Sequence, residues 1–297
     1  MTLQELLAQA TERLAAEPLA YGHGTTNAHD EAAWLVLWQL GQPLDSDLHA
    51  LATRPITDAE AHAVDALISR RIKSRLPAAY LTREAWLQGV PFYIDERAIV
   101  PRSFIAELIA DGDIDDWLSA STQQVLDLCT GNGSLAVLAA MAWPEVTVTA
   151  ADLSSEALAV AQINVERHGL QDRIALIESD NLHNCRGPYD LILCNPPYVN
   201  ATSMATLPQE YRAEPEMALA GGLDGMDFIR QLLRDAPSRL SPDGVLVLEI
   251  GNERPHFDAA FPHLAPVWLP TSGGEDQVLL LTAESLSLSA EPDEPAP

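Results

Sequence analysis

Apolar positions recur along this chain in two rhythms. Over residues 1–82 they follow the helical period. In "LQELLAQATERLAA" Leu3, Leu6, Leu7 and Leu14 gather near one face, which predicts an amphipathic helix. "NAHDEAAWLVLWQLG" opens at Asn27, a good N-cap, and closes at Gly41, a good C-cap. "TDAEAHAVDALISRRIKSRL" begins with Thr57 and Glu60 at capping-box spacing. Short connections between these helices predict a small bundle. The aromatic and β-branched residues of "AWLQGVPFYIDERAIVPRS", around Gly89 and Asp95, then predict a hairpin.

From about Gln123 the rhythm changes. Short apolar runs, "QVLDLC", "VTVTAAD", "RIALIES", "YDLILC", "GVLVLEI" and "DQVLLLT", read as strands. Helical stretches such as "GSLAVLAAMA" and "SSEALAVAQINVERHG", the latter capped by Ser154 and closed by Gly169, lie between them. Alternation of this kind predicts a mostly parallel sheet covered by helices on both faces. The expected organisation is a helical domain over 1–82, a linking β-hairpin over 83–104, an α/β domain over 105–282 and a disordered acidic tail over 283–297.

Composition narrows the class. No stretch of the 297 residues approaches the roughly 20 apolar residues that span a bilayer. The first residues lack the basic start of a secretion signal. The three cysteines, Cys129, Cys185 and Cys194, have neither a disulfide framework nor metal-ligand spacing. These features predict a reduced cytoplasmic protein with no membrane partner and no metal. The formal net charge is −26, and Lys73 is the single lysine. Such a balance opposes a nucleic-acid substrate, whose phosphates call for basic surface. It suits a basic partner, although a salt-adapted acidic surface accounts for it equally well.

Candidate chemistry falls after the strands, where open α/β sheets bind ligands. In "DLCTGNGSLAV", Asp127 sits on a strand and Cys129, Thr130, Gly131, Asn132 and Gly133 lead into a helix. The glycines permit positive φ and close approach to a ligand, as they also do in ordinary strand–helix turns. The third glycine of the dinucleotide fingerprint is absent, which counts against a pyrophosphate site. Asp152 ends the next strand, where an acid can accept both hydroxyls of a ribose or simply start the following helix. Asp180 and Asn181 follow the third strand, placed to meet an adenine edge.

"YDLILCNPPYVN" is the most unusual stretch. Proline removes a main-chain donor, so Pro196 and Pro197 stop an apolar strand abruptly at Asn195. A buried Asn195 can accept a hydrogen from a substrate –NH2 through its side-chain carbonyl, and the Pro196 carbonyl can accept the other. Tyr198 can lie flat on a planar amide or base. A proline-rich turn without chemistry is the plainer alternative.

"DLCTGNG", "AADLSSEAL" and "NPPYV" together resemble the amino-methylating class I S-adenosylmethionine-dependent methyltransferases. "GVPFYIDERAIVPRSFIAELI", "EYRAEPEMAL" and "LEIGN" further resemble the ribosomal-protein glutamine N5-methyltransferases. The resemblance runs from the first helices to about Thr282. It implies an α/β, Rossmann-like, seven-stranded sheet with a small N-terminal helical domain that helps present the substrate. It also implies methyl transfer from S-adenosylmethionine to a glutamine side chain of the third protein of the large ribosomal subunit, a basic protein. In that reading Cys129 to Gly133 and Asp152 hold the cofactor, and Asn195 to Tyr198 hold the glutamine. Many relatives have Leu or Trp where this chain has Asn181. The release-factor glutamine methyltransferases share the fold and the NPPY motif and remain an alternative. So does a cofactor-binding ribosome assembly factor without turnover.

Overall fold

The computed structural model describes residues 1–288. Its first part is helical: α1 (Leu3–Ala15), α2 (Ala28–Gln39), α3 (Leu48–Leu51), α4 (Asp58–Ser74) and α5 (Ala78–Thr82). The caps read from the sequence are present. Asn27 Oδ1 accepts from Asp30 N, and Thr57 and Glu60 form a reciprocal capping box. The buried face of α1 comprises Leu3, Leu6, Leu7, Ala10 and Leu14.

A short hairpin follows, β1 (Ala85–Leu87) paired with β2 (Val90–Phe92). It ends before Asp95. Instead of pairing in a strand, the Asp95 carboxylate accepts from Arg97, Arg83 and the Tyr93 hydroxyl. The expected hairpin is therefore shorter than the 83–104 link, and the remainder is a loop pinned by charge.

The second part contains α6 (Ile105–Asp111), β3 (Gln124–Leu128), α7 (Ser134–Ala142), β4 (Thr147–Asp152), α8 (Ser155–Arg167), β5 (Ile174–Glu178) and β6 (Tyr189–Cys194). It continues with α9 (Ala201–Thr206), α10 (Asp227–Asp235), β7 (Leu240–Glu249), α11 (Arg254–Ala260), β8 (Val267–Thr271), β9 (Gly274–Thr282) and α12 (Ala283–Leu288). The seven strands from β3 onwards form one sheet in the order β5-β4-β3-β6-β7-β9-β8. Pairings from β5 through β7 are parallel, whereas β9 runs antiparallel to both β7 and β8. This is the Rossmann-like α/β sheet expected of the sequence.

Two elements depart from the reading of the sequence. β8, "VWLPT", is not among the strand runs read from the sequence, and it carries Pro270. The proline is tolerated because β8 is the edge strand, and the register slips there. The disorder expected from Ala283 does not begin there. Ala283 and Leu286, three apart on α12, are buried in the core beside β7 and β9. The composition of "AESLSL" hides that apolar pair. Residues 289–297 of the expected tail lie outside the described residues.

The helical region and the sheet share a core. One apolar cluster joins Leu3, Leu35, Ile68 and Tyr80 to Ile94 and Val100, and reaches Ala157 and Val160 on α8. Among the described residues no helix is long and apolar enough to cross a membrane.

Candidate active site

Strand order reverses direction between β3 and β6. Such a switch point opens a crevice at the carboxyl ends of the strands. There the ladder pairs Leu128 with Cys194, so Cys129 and Asn195 leave the sheet side by side. β4 delivers Asp152 on one flank, paired with Glu178 just before the turn at Ser179 to Asn181. A cleft of about 740 Å³ lies over these ends, lined by Cys129, Gly131, Asp152, Asp180, Asn181, Asn195 and Pro197, with Met217 and Phe228.

The glycine loop is shaped by its backbone. Cys129, Gly131 and Gly133 have φ of +61°, +55° and +81°. At Gly133 a Cβ would stand 3.1 Å from Ala161 Cβ and 3.3 Å from its Cα. Glycine is thus what lets the loop press onto α8. Gly131 N donates to Asp152 Oδ2 at 2.9 Å and Ser154 N to Oδ1 at 2.8 Å. Burial pushes the Asp152 pKa up, against the pull of those main-chain donors. Asp152 anchors the turn into α8, and its carboxylate forms part of the cleft wall.

The other residues of the loop stand behind that wall. Asp127 is fully buried, and its Oδ2 accepts from the Thr130 hydroxyl and from Ala136 N. Burial lifts its pKa to about 7. Asn132 is buried as well; its carbonyl accepts from Asn164 Nδ2 at 2.8 Å. Asp127, Thr130, Asn132 and Gly133 thus shape the loop from beneath, while Cys129 and Gly131 face the cleft. Asp180 is exposed. Asn181 has φ of +49°, and its amide is committed to the main chain, accepting from Leu182 N and donating to the Phe228 carbonyl.

Asn195 is half-buried rather than buried, since it lines two cavities at once. The second, about 1210 Å³, lies on the far side of the motif. Pro197 faces the cleft, whereas Pro196 and Tyr198 face this second cavity, together with Arg102, Tyr211, Glu249 and, from the helical region, Gly22, Gly24, Thr25 and Thr26. The Asn195 side chain makes no hydrogen bond within the described chain, which leaves its acceptor free at the shared wall. The Tyr198 hydroxyl donates to Glu249 Oε1 at 3.4 Å. Gly251, at φ +53°, leaves room for the ring, because a Cβ there would stand 2.6 Å from Tyr198 Cε2. Glu249 Oε2 accepts from the Ser103 hydroxyl at 2.5 Å and from Phe104 N at 2.9 Å. Burial raises its pKa to about 7.

Comparison with known proteins settles the family. The family model of the methyltransferase small domain matches residues 114–213. The ribosomal protein uL3 glutamine methyltransferase of Bordetella pertussis is 53% identical over 290 residues, covering 96% of each chain. That of Neisseria meningitidis serogroup B is 48% identical over 287 residues, covering 96% of this chain and 94% of its own. The chain belongs to the ribosomal protein uL3 glutamine methyltransferases. Among solved structures, the hMettl16 catalytic domain in complex with MAT2A 3'UTR hairpin 6 matches with a TM-score of 0.52 at 14% identity. That match covers 81% of this chain and 85% of the other, and it is a likeness of fold alone.

Two of the sequence blocks that carried the resemblance meet at the second cavity. Arg102, from "PFYIDERAIVPRS", donates to both oxygens of Glu214, from "EYRAEPEMAL", at 2.6 and 2.8 Å. Val100 N adds a third bond at 2.9 Å. The His23 ring lies 3.4 Å from the same carboxylate and packs, tilted, against the Tyr211 ring with centroids 4.3 Å apart. Burial alone would raise the Glu214 pKa, but the charge and hydrogen bonds of Arg102, with the His23 ring close by, bring it down to about 2. Glu210 likewise accepts from Arg75 at 2.6 Å and Arg71 at 3.3 Å, and Arg71 also donates to Glu31. Residue-level reading of the sequence singled out none of these. The only signal was that Arg102, Glu210 and Glu214 lie in the blocks that carried the resemblance.

Proposed function

We propose that this chain methylates the side-chain amide nitrogen of a glutamine in ribosomal protein uL3, using S-adenosylmethionine. The observation that carries the reading is the unpaired Asn195 amide in the wall common to the cleft and the second cavity. The residues of the cleft fit the cofactor. Each Asp152 oxygen accepts one main-chain N–H and keeps lone-pair capacity for a ribose hydroxyl. A Cβ on Gly131 would meet nothing within 4 Å, so the loop presents open space there. When bound, S-adenosylmethionine supplies an electrophilic methyl group.

The chain's own residues then handle the amide. Its nitrogen is a poor nucleophile, because the lone pair is delocalised into the carbonyl. Asn195 Oδ1 and the Pro196 carbonyl accept its two hydrogens, favour a pyramidal nitrogen and turn the lone pair toward the cleft. This is catalysis by positioning and preorganised acceptors. The Tyr198 ring, held by Glu249 and given room by Gly251, supports the planar group. No general base is needed early, since the nitrogen becomes acidic once methylated. The net charge of −26 suits a basic ribosomal protein.

The test is direct. Purified chain, uL3 and S-adenosylmethionine should yield uL3 carrying one methyl on a glutamine, located by fragmentation mass spectrometry. Methylation of a release factor with none on uL3 would transfer the assignment to the release-factor type. In Asp152→Ala the affinity for S-adenosylmethionine, measured by calorimetry, should fall by about tenfold or more, because charge-assisted acceptors are lost. Unchanged affinity in a folded variant would leave Asp152 only its structural task.

A further inference from the structure

The cavity around Asn195 does not end at the helical region. Gly24 and Thr25 line it and also line a separate groove of about 1190 Å³. The groove runs between α2, the turn at residues 44–48 and the tip of the β1–β2 hairpin. Trp34, Leu37, Leu44 and Leu48 give it an apolar floor. Trp86 stands at its edge 39% exposed, among the large hydrophobic side chains left uncovered. The indole N–H of Trp86 donates to Glu84 at 2.9 Å, which fixes the ring before anything binds. The charged residues of the lining are both acids, Asp30 and Asp45, and both are exposed.

We propose that this groove docks the part of the substrate protein that flanks the modified glutamine: an extended, cationic segment with an apolar side chain set beside Trp86. The inference rests on the uL3 methyltransferase reading and extends it from the reacting amide to the sequence around it. Continuity is the first argument. Gly24 and Thr25 border both spaces, so a chain whose glutamine reaches Asn195 can continue past them to the groove. Charge is the second. At physiological ionic strength fields fade within about 8 Å, so the local acids Asp30 and Asp45 set the preference. The same acids disfavour an RNA occupant. Rigid aromatic side chains over apolar pockets are where binding energy concentrates. Binding away from the reacting atoms is also how an enzyme selects one amide among many equivalent ones.

Steady-state methylation of purified intact uL3 by the wild type, Asp45→Lys, Trp86→Ala and the double variant tests this. The double variant should raise KM for uL3 by about tenfold, with kcat within about twofold and S-adenosylmethionine affinity unchanged. Asp45→Lys alone should raise KM and weaken its dependence on salt. Asp45 is an exposed turn residue, so this variant stays informative if Trp86→Ala folds poorly. Wild-type KM in folded Asp45→Lys and double variants overturns the groove alone. A change in oligomeric mass without a change in KM makes the groove a contact between copies, and also overturns the proposal. A wild type that leaves uL3 unmethylated removes the functional reading and the groove with it.

Discussion

The cleft and the second cavity share Asn195, yet they are built in opposite ways. The cleft draws chiefly on residues 128–197, and most of its lining leaves the end of a strand. Parallel ladders align those ends: Leu128 pairs with Ala151 and with Cys194, and Asp152 with Glu178. The cavity takes its walls from residues 22–26, 99–104, 195–199, 207–219 and 249–252. Side-chain pairs between segments more than a hundred residues apart hold these in place, such as Arg102 with Glu214, while Arg71 on α4 ties Glu210 to the helical region. Main-chain hydrogen bonds survive most substitutions, whereas a single carboxylate does not. The cavity is therefore the part that point mutations can dismantle.

Glu214→Ala should have the largest effect on the fold. It leaves Arg102, Val100 N and His23 facing an emptied, buried site. Removing one partner of a buried pair costs about 3–5 kcal/mol, and the lower end applies because the Arg102 side chain keeps 25% exposure. Denaturant unfolding should show this loss. In conditions where the variant stays folded, KM for uL3 should rise more than the dissociation constant for S-adenosylmethionine. Equal effects on both would mean that the cavity and the cleft are a single structural unit.

Asn195→Ala acts at the shared wall. It removes the free acceptor but keeps Pro196 and Pro197, so the turn survives. Single-turnover methyl transfer should fall by about 10²–10³, equivalent to roughly 3–4 kcal/mol, with little change in cofactor affinity. Asn195→Asp should be milder, because a carboxylate still accepts. Wild-type rates in both variants would reduce the motif to a structural turn.

The same difference in construction sets what the sequence disclosed. The periodic elements and the strand-end residues were legible, because local patterns of apolar, glycine and capping residues encode them. The departures each have a local cause. Pro270 disguised an edge strand, and "AESLSL" disguised a helix whose only apolar anchors are Ala283 and Leu286. Asn195 was expected to be buried, but a residue that serves two cavities must be open to both. Glu249, Glu214 and Arg71 were invisible as site residues, because a charged side chain at a strand end, in a loop or on a helix looks solvated until its distant partner is known.

Glu249 offers a test by pH, with a smaller effect. In the unfolded chain it titrates near 4.5, and in the fold near 7. Between those values the folded protein holds a proton that the unfolded chain has released, so stability falls as pH rises from about 4.5 to 7 and is level above that. Asp127 adds to the same trend, from 3.8 to about 7. Glu249→Gln keeps a neutral acceptor for Ser103 and Phe104 N, so it should fold. It should be about 3 kcal/mol more stable than the wild type at pH 8 and nearly equal at pH 4.5. A constant difference across that range would show that the carboxyl does not titrate there.

The smallest expected effect bears on whether the helical region is a separate body. Thr57 caps α4 through Glu60 N, and Glu60 returns a bond to Thr57 N at 2.9 Å. Thr57→Ala removes the first of these and should cost about 1 kcal/mol. Helix α4 contributes Val64, Leu67 and Ile68 to the cluster that also contains Ala157 and Val160 of α8. Because that cluster crosses from the bundle to the sheet, the loss should lower the melting temperature of the whole chain by a few degrees. It should do so as one transition, with calorimetric and van't Hoff enthalpies in agreement. A new, earlier transition confined to helical signal, with the rest of the melt unmoved, would show that residues 1–82 fold apart from the sheet. In that case the contacts of Ala157 and Val160 are a docking interface and not a shared core.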